Sequence, residues 1–177
     1  MESVKNKNIL IAGASGGIGA ATARLLSGSG ATVFLAGRNA EKLQALATTC
    51  NIPAEQIFVA ELSDANEVNA MAAKVHAIIP QLDILINASG IGIIKPIEAL
   101  SSEDFIKTIN TNLVGPFFLV KAFLQKMKET KKGLIINIPG VLGQVPMAGA
   151  AAYSASKYGL VVMMQSIREG LKGCENG

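Results

Sequence analysis

Five short, almost unbroken apolar runs constrain this chain most: "NILIAG" from Asn8, "TVFLAG" from Thr32, "QIFVA" from Gln56, "DILINA" from Asp83 and "GLIINI" from Gly133. None alternates polar with apolar residues, as a strand with one wet face would. Runs of this kind suit parallel strands buried under helices on both faces. Between them lie longer amphipathic stretches that read as helices: Gly17–Ser29, Glu41–Cys50, Ala65–Ile79, Ser101–Lys128 and Tyr153–Leu171. Ser63 and Asp64 are cap candidates for the third, and Ser101 with Asp104 three residues on gives a capping-box-like start to the fourth. The strict βα alternation predicts an α/β fold, a doubly wound parallel sheet, with ligands at the carboxyl ends of its strands. A length of 177 residues fits a single domain over residues 1–177, and 50% hydrophobic residues suffice for a full core.

Charge and side-chain inventory exclude several functions. The formal net charge of +3 makes no case for nucleic acid. The one basic cluster, "KMKETKK" (Lys126–Lys132), closes a helix, where cations suit the dipole. Cys50 and Cys174 lack metal-ligand spacing and read as free thiols of a cytoplasmic protein. The polar N-terminus "MESVKNKN" and the glycine-broken run after it form neither a secretory signal nor a membrane span. His76, the one histidine, stands apart from the motifs described below and reads as structural or surface; no His/Cys/carboxylate cluster suggests a metal.

The first run leads into "AGASGGIGAA", with Gly13, Gly17 and Gly19 at the junction of strand and helix. Glycines there serve a dinucleotide: Gly13 for the sharp turn, Gly17 for close approach of a pyrophosphate, Gly19 for helix–sheet packing, with helix N–H groups facing the anion. Helix–strand packing alone is the other account of such glycines. The second run ends "LAGRN". Where an acidic side chain usually takes a free ribose 2′-hydroxyl, this chain has Gly37 followed by Arg38. A guanidinium suits a 2′-phosphate, and Ser15 can add a hydroxyl, so NADP(H) is favoured over NAD(H).

In "AAYSASKYGL", Tyr153 and Lys157 are four residues apart and share a helix face. A nearby ammonium favours a phenolate, so such a pair can relay a proton to a carbonyl or from an alcohol. Taken together, "GASGGIG", "AGR", "INASG", "NTNLVGPF", "IINI" and "YSASK" resemble the short-chain dehydrogenase/reductase family, in family order and over essentially the whole chain. The resemblance implies a Rossmann-type sheet of order 3-2-1-4-5, lacking the family's usual last strands, in an NAD(P)-binding domain incomplete at its C-terminus. It implies that Tyr153 is the catalytic acid/base, that Lys157 holds the nicotinamide ribose and tunes the tyrosine, and that Asn112 binds a relay water. Asn110 lies two residues away, but "N-L-x-G-x-F" favours Asn112. The cofactor-binding residues it implies are Gly13, Ser15, Gly17, Ile18, Gly19, Arg38, Glu61, Leu62, Asn87, Ala88 and Gly90, with Tyr153 and Lys157. Glu61 stands where an aspartate is usual, and Leu62 is the expected apolar contact to adenine; Asp64 reads as a helix cap.

Two departures stand out. The family serine thirteen residues before the tyrosine falls on Gly140, in "IINIPGVLG". A lost donor of that kind can cost about 100- to 1,000-fold in rate. Ser154 and Ser156 follow the tyrosine and do not replace it by position. The chain also stops at "GLKGCENG", before the family's last two strands, Pro-Gly turn and substrate lid, so strand five is expected as an exposed edge. The function expected is NADP(H)-dependent interconversion of a carbonyl and an alcohol. The alternative is a catalytically weak or inactive nucleotide-binding or interaction protein on the same scaffold. The expected partners are a small carbonyl or alcohol substrate, no nucleic acid and no membrane. Helices "GPFFLVKAFLQKM" and "YGLVVMMQSIREGL", the latter with a Leu160–Met163–Met164–Ile167 stripe, imply a homodimer or homotetramer by the resemblance.

Overall fold

The computed structural model describes residues 4–172. Its regular elements are β1 (Asn8–Ala12), α1 (Gly17–Gly28), β2 (Thr32–Gly37), α2 (Ala40–Cys50), β3 (Ile57–Val59), α3 (Ala65–Ile78), β4 (Ile84–Asn87), α4 (Ser102–Ile109), α5 (Gly115–Thr130), β5 (Leu134–Asn137) and α6 (Ala151–Lys172). They divide into two compact units: one takes the chain through Ser89 plus Gly115–Ile138, the other Gly90–Val114 plus the chain from Pro139 onward. Cys174 lies outside the described residues.

The first unit holds the whole sheet, with strands in the order β3-β2-β1-β4-β5. Every neighbouring pair is parallel, with Leu10 opposite both Phe34 and Leu85. Successive residues of a strand face opposite ways, and here each way leads to a core. Leu10, Ala12, Phe34 and Phe58 join Val68, Met71, Val75, Leu119 and Phe123 in one cluster. Ile9, Ile11, Val33 and Leu35 join Ala23, Leu43 and Leu46 in the other. Two covered faces are why the runs of β1, β2 and β4 carry no polar alternation.

Helix ends follow local chemistry. Asn39 caps α2 by accepting from the Lys42 N–H, and Asn51 ends it in the left-handed region at φ 53°. Asp64 caps α3 through the N–H groups of Asn66 and Glu67. In the second unit Ser101 caps α4 by accepting from the Asp104 N–H at 3.1 Å. The reciprocal half of a capping box does not form, because the Asp104 carboxylate takes Lys95 Nζ at 2.6 Å.

Two expectations are corrected. The stretch Ser101–Lys128 is not one helix: a π turn, Asn110–Val114, interrupts it. Fully buried Asn112 sits at its centre. Strand β5 is not covered on both faces: Leu134 and Ile136, which share one face, are 51% and 39% exposed.

In the second unit α6 packs on α4, on the π turn and on a short 3-10 turn, Val141–Gly143. Gly159 permits the approach: a Cβ there would stand 3.0 Å from Leu113 Cδ2. The elements thus converge on α6, whose first turns carry Tyr153, Ser156 and Lys157.

Candidate active site

The candidate residues fall into two sets, one in each unit. In the first unit the glycine loop leaves β1 with the N–H groups of Gly13 and Ala14 donating to Ala36 O at 2.9 and 3.0 Å. Gly13 adopts φ +80°, and a Cβ there would lie 2.6 Å from the Ser89 nitrogen. A Cβ on Gly19 would lie 2.3 Å from Gly13 O and 2.8 Å from Ala14 Cα. These two glycines are therefore required by the protein's own packing. Gly17 differs: nothing stands within 4 Å of its Cβ position. Helix α1 starts at Gly17 with no side-chain cap, so its first-turn N–H groups are disposed for an anion. Ile18 beside them is 59% exposed. The loop leaves open space where a diphosphate would approach and is close-packed where the fold needs it, so its residues fit a dinucleotide.

At the end of β2, a Cβ on Gly37 would stand 3.2 Å from Ser15 Oγ. The hydroxyl of Ser15 is thus placed beside the turn into Arg38. Arg38 itself reaches the end of β3, where its Nη1 lies 3.5 Å from Glu61 Oε2. The other Glu61 oxygen accepts from the Ser63 N–H at 3.0 Å and the Ser63 hydroxyl at 2.7 Å. Burial pushes the Glu61 carboxyl up, but the Ser63 hydrogen bonds and the Arg38 charge outweigh it and hold the group below its ordinary value. Leu62 is 6% exposed and belongs to the core cluster. At the end of β4, buried Asn87 donates to Asn137 Oδ1 at 2.9 Å and accepts from the Ser89 hydroxyl at 2.6 Å. Ala88 donates its N–H to Ala12 O at 2.8 Å, tying β4 to β1 beneath the loop.

In the second unit Asn112 and Lys157 meet at Gly90. A Cβ on Gly90 would stand 3.2 Å from Asn112 Oδ1 and 3.3 Å from Lys157 Nζ. Asn112 Oδ1 accepts the Ile91 N–H at 2.8 Å, and its Nδ2 donates to Ile91 O at 2.9 Å and to Ser156 Oγ at 3.1 Å. The Ser156 hydroxyl donates to Tyr153 O at 2.7 Å. One chain of contacts therefore ties Ile91, Asn112, Ser156 and the backbone of Tyr153. Asn110, two residues before Asn112, is exposed. Lys157 is 4% exposed, and burial holds its ammonium below the ordinary lysine value. Its Nζ lies 5.7 Å from the centre of the Tyr153 ring, within cation–π range.

Gly140 faces this tyrosine. It adopts φ +72°, and a Cβ there would lie 3.8 Å from the Tyr153 hydroxyl. It is the position thirteen residues before the tyrosine, and it carries no side chain. Ser156 is committed to Tyr153 O and Asn112. Ser154 Oγ is buried with no hydrogen-bond partner among the described residues.

Sequence reasoning missed Ser156, the Ile91 backbone and the Arg38–Glu61 pair. The serine at i+3 from Tyr153 carries one local signal, because a helical hydroxyl reaches the carbonyl a turn back. The other contacts join positions too far apart in sequence to be paired by eye. His76 lies against Phe123, ring centres 5.4 Å apart, and neither ring nitrogen has a partner among the described residues. No group of three or more metal-ligating side chains occurs among the described residues, and no described helix is long and apolar enough to cross a membrane.

The profile of the short chain dehydrogenase family matches residues 7–174. A 3-oxoacyl-acyl-carrier-protein reductase of Rickettsia felis is 37% identical over 167 residues, 94% of this chain and 67% of that protein. Nodulation protein G of a Rhizobium species is 35% identical over 96% of this chain and 69% of its own length. Among solved structures, a metagenomic short-chain oxidoreductase in complex with NADP superposes with TM-score 0.88 at 35% identity, covering 97% of this chain and 78% of that one. An actinorhodin polyketide ketoreductase variant with NADPH gives TM-score 0.85 at 29% identity, covering 94% and 66%. The chain belongs to the short-chain dehydrogenase/reductase family and spans about two thirds of the length of these curated relatives.

Proposed function

We propose that this chain is an oxidoreductase that interconverts a ketone or aldehyde with an alcohol and prefers NADP(H). The observation that carries the reading is the convergence of Asn112 and buried Lys157 on Gly90, beside a tyrosine whose hydroxyl faces position 140. The dinucleotide, when bound, supplies or accepts the hydride at the carbonyl carbon. The protein's own part is the proton. In the reducing direction the Tyr153 hydroxyl gives its proton to the carbonyl oxygen as that oxygen gains charge. Lys157 supplies a positive charge beside the ring that favours the resulting phenolate. Asn112 holds the Ile91 backbone and, through Ser156, the first turn of α6, so the tyrosine is oriented before substrate arrives. In the first unit, Gly13, Gly17, Ile18 and Gly19 form the diphosphate loop. Ser15 and Arg38 take a 2′-phosphate, which the complexes of two similar structures with NADP and NADPH support.

A second reading has its own observation. Gly140 brings no hydroxyl to the substrate oxygen, and its φ of +72° is a conformation side chains rarely adopt. On this reading the chain binds the dinucleotide with little or no turnover. Consumption of NADPH with a panel of ketones and aldehydes, beside direct NADPH binding, separates the two. Turnover that disappears in Tyr153→Phe while binding remains supports the first; binding with no turnover in the wild type supports the second. Turnover that survives Tyr153→Phe overturns the proton role. We further propose a cytoplasmic homodimer or homotetramer; a monomeric mass by light scattering at micromolar concentration counts against the assembly.

A further inference from the structure

We propose that Glu61 is a specificity-determining residue of the nucleotide site: acting through Arg38, it limits how strongly the chain prefers a 2′-phosphorylated dinucleotide over the 2′-hydroxyl form. The inference rests on the reading of Arg38 as the phosphate ligand. In the Glu61–Arg38 pair the carboxylate is the fixed member. Its Oε1 is held by both the N–H and the hydroxyl of Ser63, at 3.0 and 2.7 Å. Its own N–H donates to Glu67 Oε2 at 2.7 Å. The segment that follows is anchored by the Asp64 cap of α3. Arg38 is the movable member, at the end of β2 with its side chain 53% exposed and one contact to Glu61 Oε2 at 3.5 Å.

The guanidinium that would receive a phosphate thus already faces a carboxylate held in place by two hydrogen bonds from Ser63. Its hydrogen bonds hold Glu61 below the ordinary carboxyl value, so it is an anion at neutral pH. A second carboxylate, Glu67, touches the Glu61 backbone. A 2′-phosphate carries about −1.5 to −2 charges. It is drawn to Arg38 and repelled by Glu61 at once. A ribose 2′-hydroxyl carries no charge and is not repelled by Glu61; it can donate a hydrogen bond to a carboxylate. Glu61 therefore penalises the phosphorylated cofactor selectively, and its pairing distance to Arg38 sets the penalty.

The test is the ratio of the NADH and NADPH dissociation constants for wild type, Glu61→Gln and Arg38→Ala, measured at low ionic strength. Glutamine keeps an acceptor for Ser63, and a ratio cancels any loss common to both cofactors. Glu61→Ala provides a second uncharged variant. The expected result is a preference for NADPH raised about 3- to 10-fold in Glu61→Gln, with the gain shrinking in high salt. An unchanged or lowered preference in both Glu61 variants, while Arg38→Ala collapses it, overturns the inference and leaves the Arg38 reading standing. A preference unaltered by Arg38→Ala overturns the Arg38 reading, and the inference with it.

Discussion

The side-chain amide of Asn112 pairs in both directions with the backbone of Ile91: Oδ1 accepts its N–H at 2.8 Å and Nδ2 donates to its carbonyl at 2.9 Å. A residue twenty-one positions away is thereby held as one strand holds another. The pairing uses both the oxygen and the nitrogen of a fully buried side-chain amide, whose residue sits in the π turn.

Asn112→Ala should therefore be costly. It strands the Ile91 N–H and carbonyl and removes the partner of Ser156. Each buried group left unmatched costs about 1–3 kcal/mol, so a loss of about 2–4 kcal/mol is expected. The midpoint of urea unfolding measures it; a shift equivalent to less than about 0.5 kcal/mol would show the pairing to be incidental.

Gly17 and Gly19 should respond differently to the same methyl group. Gly19→Ala meets the Gly13 carbonyl at 2.3 Å and should destabilise the fold by about 3 kcal/mol or more. Gly17→Ala meets nothing of the protein within 4 Å, so stability should hold while dinucleotide affinity falls. Thermal unfolding beside cofactor titration separates the two. Equal stability losses in both variants would remove the distinction.

Gly140→Ser places a hydroxyl toward Tyr153 but on a backbone at φ +72°. Strain of this kind costs about 1–3 kcal/mol. A lower melting temperature with an increase in any carbonyl reduction is the expected pair of changes. Higher stability in the variant would mean that the backbone there relaxes and that the left-handed conformation is not what favours glycine.

His76 links stability to pH. Burial first, and then the Lys126 charge, hold its imidazole below the ordinary value of about 6.5. Between the lowered folded value and about 6.5 the unfolded chain binds more protons, so stability rises with pH there and is complete above about 6.5. As pH falls through the folded value the contribution is lost. Urea unfolding at pH 5.5 and 7.5 should show the slope in wild type and a flatter one in His76→Leu. Equal slopes in the two proteins would mean that burial does not disfavour the charged ring.

Much of the fold was readable from local pattern. Unbroken runs such as "NILIAG" imply two covered faces, and the alternating clusters around Leu10 and Ile11 are that implication realised. Caps at Asp64 and Ser101 were legible because a cap acts within three residues. The glycine loop was legible for a similar reason: the steric demand on Gly19 comes from Gly13, six residues back. The break in the long fourth helix was not, since no propensity marks a π turn.

The amino-acid order thus settles much of what depends on neighbours a turn or two away: strands, most helix spans, caps, the strand-to-helix glycine turn and the family. The folded chain settles what depends on distant residues being brought together. Asn112 finds Ser156 forty-four positions on, Arg38 finds Glu61 twenty-three positions on, and Gly140 turns toward Tyr153. Which side chain serves another across such separations depends on distances of a few ångströms, and those are set by how the elements pack rather than by the order of residues along any one of them.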